Sequence, residues 1–192
     1  MKRSPCMLAL ALAAALPFAA VAAEGVSYNY VEGGYVATKG DGADADGFAL
    51  NGSVAVHPNF HLFGGYANQE LDNFNIDFDQ WRFGVGYNLE ISPRADLIAR
   101  LAYERFDAGR DFFGDRIKAD GYSAEVGVRG ALARNFEGYA LAGYEDYGRS
   151  VGDDFYGRLG ANLKFNRDWS VNGDVKFAGN DRQWFVGPRF TW

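Results

Sequence analysis

Between positions 80 and 89 the chain alternates strictly: Trp81, Phe83, Val85, Tyr87 and Leu89 fall on one side of an extended strand, and Gln80, Arg82, Gly84, Gly86 and Asn88 on the other. Successive side chains of a strand point to opposite faces, so a period of two marks a strand whose faces meet unlike surroundings. In residues 155–165, Phe155, Leu159, Ala161, Leu163 and Phe165 likewise oppose Tyr156, Arg158, Gly160, Asn162 and Lys164. The pattern recurs in Phe48 to Val56, Leu97 to Tyr103, Tyr122 to Leu132 and Trp169 to Phe177. It predicts ten strands, over 26–37, 47–57, 60–68, 80–90, 96–106, 121–132, 136–146, 155–165, 169–177 and 183–192. Two are mixed in face. Tyr28, Tyr30, Val31 and Tyr35 do not share a parity, nor do Tyr139, Leu141 and Tyr144, so a bulge is expected in each of those strands.

Alternation alone does not say whether the apolar face looks into a core or out into lipid; three features favour lipid. Large aromatics stand at both ends of the apolar rows: Trp81 with Tyr87, Phe155 with Phe165, Trp169 with Phe177, and Trp184 with Trp192. Eight residues at ~3.3 Å each, tilted by ~40°, span roughly 20 Å, close to the apolar band between the aromatic girdles of an outer-membrane barrel. Connections alternate in length, short at 57–59, 92–94, 133–135 and 166–168 and longer at 38–46, 69–79, 107–120 and 147–154, with 178–182 the exception. An even strand count then puts both termini on the short-turn, periplasmic side. Last, Trp184, Val186, Phe190 and Trp192 alternate outward to the final residue, a pattern that resembles the C-terminal signal read by the barrel-assembly machinery. Pro188 interrupts that row and has no N–H for the ladder. The expected fold is all-β: a ten-stranded antiparallel transmembrane barrel in the outer membrane of a Gram-negative bacterium. A lipocalin-like soluble barrel is the alternative.

The first residues follow a different rule. Met1, Lys2 and Arg3 form a basic head, Met7 to Leu16 an Ala/Leu run, and Ala20-Val21-Ala22 a small-x-small site. This reads as a cleaved secretory signal over 1–22, leaving a barrel domain over 23–192. Pro17 ends the apolar run well short of the ~20 residues a membrane helix needs. Cys6, the single cysteine, lies too close to the start for a lipoprotein site, so the mature chain is expected to have none. With 25 acids, 19 bases and a pI near 4.9, no nucleic-acid partner is expected, because such a partner needs a basic stripe.

Residues 23–38, AEGVSYNYVEGGYVAT, resemble the mature amino terminus of a xanthomonad-type family of small outer-membrane proteins labelled quorum factors or immunity elicitors. The likeness extends more loosely to Asp44-Ala45-Asp46-Gly47-Phe48 and to the rhythm of the last strand. It implies an outer-membrane barrel, and it implies a sulfated tyrosine at Tyr28 through its Ser-Tyr-Asn context, tied to a disputed signalling role. The plainer reading of Tyr28 is a girdle tyrosine at the periplasmic interface, where such rings collect.

Candidate chemistry is sparse. His57 and His61, the only histidines, flank the turn at Pro58 on the periplasmic side, far from the outer rim where barrel enzymes work, although His61 could face the lumen. No catalytic residue, metal site or cofactor is expected. The polar faces are richer: Arg82, Arg100, Glu104, Glu125, Arg129, Arg158, Lys164, Asp174, Lys176 and Arg189 all project into the predicted lumen, seven bases against three acids. Charges in a narrow barrel should pair, since isolated buried charge is costly. A plugged core with a structural or surface-interaction role is therefore expected. A narrow pore, weakly anion-preferring on that count, is the runner-up, and a released signalling protein the third reading. The outer connections, with the fourth counted from Glu145, hold 16 acids and 6 bases. They are read as solvated loops beside outer-membrane lipid and lipopolysaccharide, with any surface or host partner unspecified, and Phe112-Phe113 as an inward lid in slight preference to an adhesive tip.

Overall fold

The computed structural model describes residues 25–40, 44–71, 76–110, 116–148 and 152–192. The expected signal segment and the Phe112-Phe113 lid lie outside them. Ten strands follow in order: β1 (Tyr30–Lys39), β2 (Ala45–His57), β3 (Phe60–Leu71), β4 (Ile76–Ser92), β5 (Ala95–Arg110), β6 (Arg116–Ala133), β7 (Phe136–Asp146), β8 (Asp153–Lys164), β9 (Trp169–Ala178) and β10 (Asp181–Thr191). Each pairs antiparallel with its sequence neighbours, and β1 pairs with β10 from Tyr30↔Thr191 to Lys39↔Arg182, closing the barrel. Closure leaves no strand edge unpaired, the condition lipid imposes because it offers no hydrogen bonds.

The apolar rows point outward. Phe83, Leu101, Val126, Leu159 and Val186 are exposed on the outer face between rows of aromatics. At the short-turn end these include Phe60 against Tyr87 and Trp169 against Phe190; at the other end, Tyr66 against Trp81, Tyr103 against Tyr122 and Tyr144 against Phe155. A continuous apolar belt of this size on the outside of a closed barrel is a surface made for hydrocarbon.

Three sequence expectations are corrected. The outer connections are shorter than the polarity of 69–79 and 107–120 suggests, because β3 to β6 run on past the apolar band. Cross-strand bonds hold these polar extensions: Tyr66 Oη donates to Asp79 at 2.6 Å, Asn68 Nδ2 to the same carboxylate at 3.0 Å, and Tyr103 Oη to Asp120 at 2.5 Å. No extra residue falls within β1 or β7, where bulges were expected; the shifts fall at Ala55/His57, Glu90/Ser92 and Ala108/Arg110 and, on the β6 side of the β6–β7 ladder, at Ala131/Ala133. The mixed faces of β1 and β7 have another cause: the lumen itself takes aromatic rings. Tyr30 and Tyr139 point inward, and the ring of Tyr139 lies over Gly160, its direct cross-strand partner, where any Cβ would collide with it. Third, β1 begins at Tyr30, not residue 26, because residues 25–29 turn into the barrel mouth.

Leu101 lies in the middle of the outward belt, opposite Val85 and Ala124. Replacing it with arginine should cost about 2–4 kcal/mol of unfolding free energy in lipid vesicles, the range for a cation in the hydrocarbon zone. Leu101→Ile should cost less than about 1.5 kcal/mol in the same unfolding titration. Equal, small losses would show that this face does not meet hydrocarbon.

Candidate functional site: the charged lumen

The inward row of each strand meets those of the strands across the barrel, and the side chains meet in three layers. At the short-turn end, residues 25–29 fold back into the mouth. Tyr28 is 1% exposed. Its hydroxyl donates to Asp96 at 2.9 Å, its ring stacks on His61 at 4.4 Å, and the Arg129 guanidinium sits 5.0 Å over the ring. Gly86, opposite His61 across β3 and β4, leaves the space that the imidazole fills. Asn29 accepts from the Ala55 N–H at 2.8 Å, and Lys164 donates to the carbonyl of Gly25. Arg129 and Lys164 both pair with Glu137, Lys164 at 3.3 Å.

The middle layer is a belt of ion pairs around Glu125. Arg82 binds Glu104 at 2.9 Å and Glu125 at 3.2 Å, while Arg100 and Arg158 approach Glu125 at 3.7 and 4.0 Å. Tyr156 Oη donates to Glu125 at 2.9 Å, Ser123 Oγ to Glu104 at 2.6 Å and Tyr139 Oη to Asp174 at 2.8 Å. On the opposite wall Arg189 donates to Glu32 through Nε at 2.7 Å, with Nη2 also 2.7 Å away, and stands 4.1 Å over the Tyr30 ring. Above the belt Lys176 pairs with Glu145 at 2.6 Å, and Thr38, Gln69, Gln80 and Gln183 link side chain to side chain.

Cavities of about 210, 60 and 300 Å³ lie at the short-turn end, in the middle and at the outer end of the barrel. The middle one shares Arg129 with the first, and Arg82, Arg158 and Asp174 of the ionic belt with the third. Pairing is what makes this interior tolerable, because a charge out of water is stable only with an opposite partner and hydrogen bonds to its remaining atoms.

The ten charges assigned to the lumen, Arg82, Arg100, Glu104, Glu125, Arg129, Arg158, Lys164, Asp174, Lys176 and Arg189, all lie inside, each in an ion pair. Sequence reasoning missed four more acids there: Glu32, Asp96, Glu137 and Glu145. Glu32 and Glu137 belong to the strands whose faces were ambiguous, Asp96 opens a strand, and Glu145 was counted with a loop. Strict pairing would have found them, since seven bases need more than three acids. Among the described residues these charges then number seven bases and seven acids, and the excess of lumen bases on which an anion preference rested is gone.

Trp81, Tyr87, Phe155, Phe165, Trp169, Phe177, Trp184 and Trp192 are all on the outer surface. Tyr28 is not a girdle residue: the chain before β1 enters the lumen, where the Tyr28 ring finds an imidazole, a guanidinium and a carboxylate in place of lipid headgroups. In the folded barrel its hydroxyl is buried against Asp96. His61 is fully buried, with its Nδ1 3.4 Å from Asn88 Oδ1.

The chain matches the model of the outer membrane protein beta-barrel domain over residues 8–154, more than half its length, and it belongs to that family. It is an outer-membrane β-barrel protein of a Gram-negative bacterium. Among solved structures it is similar to the translocator domain of the autotransporter NalP from Neisseria meningitidis, at 10% identity over 88% of this chain and 90% of that one, with a TM-score of 0.49. It is similar also to the KdgM porin, at 12% identity over 84% and 99% with a TM-score of 0.46. Ail, the attachment invasion locus protein of Yersinia pestis, matches at 14% over 86% and 100%, with a TM-score of 0.42. These likenesses concern the fold alone. No curated protein matches the chain.

Glu125 is 1% exposed by side chain and faces three guanidiniums. Glu125→Gln leaves Arg100 without an ion pair among the described residues and takes one of two carboxylates from Arg82 and from Arg158, so about 3–5 kcal/mol of stability should be lost in urea unfolding from vesicles. Glu70→Gln, at the exposed outer end of β3, should change it by less than about 0.5 kcal/mol. A Glu125→Gln barrel as stable as the parent would mean that the belt is wet and screened.

Proposed function

We propose that the protein is a non-conducting outer-membrane barrel with a structural or surface-interaction role and no catalysis. The observation that carries this is the double closure of the lumen, by Tyr28 at the short-turn mouth and by the Arg82–Glu104–Glu125–Arg158 belt above it. An interior filled by its own paired side chains adds rigidity, and it leaves the outer strand ends as the surface available to partners. The charged ends of β3 to β8, with Asp77, Asp120, Asp146 and Asp153 exposed, suit contact with solvent or, through divalent cations, with lipopolysaccharide phosphates. Residues 1–22 are read as the signal that brings the chain to the periplasm. We read the resemblance of residues 23–38 to the small xanthomonad-type proteins as kinship with them, and burial of Tyr28 counts against a released form recognised through that tyrosine.

The second reading, a narrow pore, is favoured by the three cavities stacked along the axis. Its selectivity would differ from the anion preference read from the sequence: with lumen charge balanced, the acidic rim decides, and cations are favoured. Purified protein in a planar bilayer separates the readings. The proposal expects no steps above baseline, and discrete, reproducible conductance steps would overturn it.

The last strand carries a further proposal, that Trp192 is read by the assembly machinery. Trp192 follows β10, its N–H donates to Asn29 at 3.3 Å, and its ring lies 6.3 Å from that of Phe190. Losing one interfacial aromatic removes only about 2 kcal/mol of burial. Deletion of Trp192 should nevertheless cut outer-membrane abundance severely, whereas Trp169→Ala, at the same interface, should leave most of it. Equal insertion of the two variants would make Trp192 an ordinary girdle residue.

A further inference from the structure

The middle cavity, about 60 Å³, is walled by five guanidiniums, those of Arg82, Arg100, Arg129, Arg158 and Arg189, and by only two carboxylates, Glu32 and Asp174. Both carboxylates accept hydrogen bonds from the protein. Glu32 takes hydrogen bonds from Arg189 and Asn51, and Asp174 takes one from Tyr139. The buried polar atoms on this wall that lack a hydrogen-bond partner are Arg82 Nε, Arg100 Nε, Arg158 Nε and Arg189 Nη1. All are donors. Arg82 Nε and Arg158 Nε still have a carboxylate oxygen at 2.9 and 4.0 Å, so Arg100 Nε and Arg189 Nη1 are the least compensated. Arg189 is 4% exposed by side chain.

From this wall we infer that the barrel holds a small monovalent inorganic anion, chloride under cellular conditions, in the middle cavity between Arg100 and Arg189. Guanidinium groups carry donors and no acceptor, so what lies against their free N–H groups must accept hydrogen bonds. Water accepts as well, but it carries no charge to set against five guanidiniums and two carboxylates. A halide accepts from several directions and donates nothing. The space exceeds the 10–15 Å³ that one water needs, which admits an ion of halide size and excludes a carboxylated metabolite. The lumen as a whole is charge-balanced, so the cause is local. The remaining acids, Asp96, Glu104, Glu125, Glu137 and Glu145, do not line this cavity. Weakly hydrated guanidiniums are also the cations that give up water most readily to a halide. An ion here would join the Arg189–Glu32 wall to the Glu125 belt, which no ion pair does directly.

The test uses the folded, full-length mature barrel. Crystals grown in sodium bromide, measured at the bromine absorption edge, should show an anomalous peak within hydrogen-bonding distance of Arg100 and Arg189. In detergent solution the unfolding temperature should rise along a saturating curve with sodium chloride or bromide and stay flat with sodium gluconate at matched ionic strength. Arg100→Gln should remove both signals. Gly65→Ala keeps every charge and adds a methyl group on the cavity wall, where it displaces the Asn51 side chain and lies at an ordinary 3.7 Å from the Leu50 carbonyl oxygen. That variant should fold and should weaken the halide response at least tenfold. Density in the cavity without anomalous signal, together with equal stability in chloride and gluconate, would show water there and overturn the inference. A halide response undiminished in Gly65→Ala would overturn it too, by placing the effect elsewhere.

Discussion

Lipid supplies no hydrogen bonds, and most of this architecture follows from that. Every peptide group at membrane depth must find its partner within the protein, which an antiparallel sheet achieves only by pairing its last strand with its first. The β1–β10 seam, from Tyr30↔Thr191 to Lys39↔Arg182, meets that demand. Once closed, the sheet divides its residues by parity into an outer set solvated by hydrocarbon and an inner set that must solvate itself. Aromatic rings at the two interfaces then fix the depth at which the barrel rides.

The inner set is where this chain departs from a plain polar filling. Ten strands enclose more space than eight, and an eight-stranded interior is just filled by side chains. Here the extra width is taken up by long arginines, by inward rings such as Tyr139, Tyr156 and Phe63, and by a segment of chain. Charges so enclosed are stable only as a set. Glu125 compensates Arg82, Arg100 and Arg158 together, Glu137 compensates Arg129 and Lys164, and Asp96 is satisfied in part by the tyrosine that plugs the mouth. Removing one member leaves its partners short of counter-charge, so the interior behaves as one cooperative unit.

The outward rows were legible in the sequence because lipid enforces alternation wherever it touches the strand: Trp81 to Leu89 and Leu97 to Tyr103 stand in the structure as their spacing predicts. The lumen was only half legible. Its rule is complementarity across the barrel, a relation between residues as far apart as Glu32 and Arg189, and no local pattern records it. Aromatic residues add to the ambiguity, because Tyr28, Tyr30 and Tyr139 are as suited to a lumen with guanidiniums as to a membrane interface. The outer strand ends misled for a related reason: acids such as Asp79 and Asp120 look like loop residues, yet they accept hydrogen bonds from tyrosines one strand away.

The central claim is that the lumen is sealed by its own side chains, with Tyr28 as the inner stopper. Asn172 lies fully buried inside, bonded to Tyr139. The sequence holds one cysteine, in the expected leader, so Asn172→Cys gives a mature barrel with a single thiol. A membrane-impermeant thiosulfonate applied to the folded protein should leave that thiol unmodified for as long as the barrel is closed, should label it on unfolding, and should label it in the folded state once Tyr28 is replaced by alanine. Rapid labelling of the folded barrel with Tyr28 intact would contradict the account.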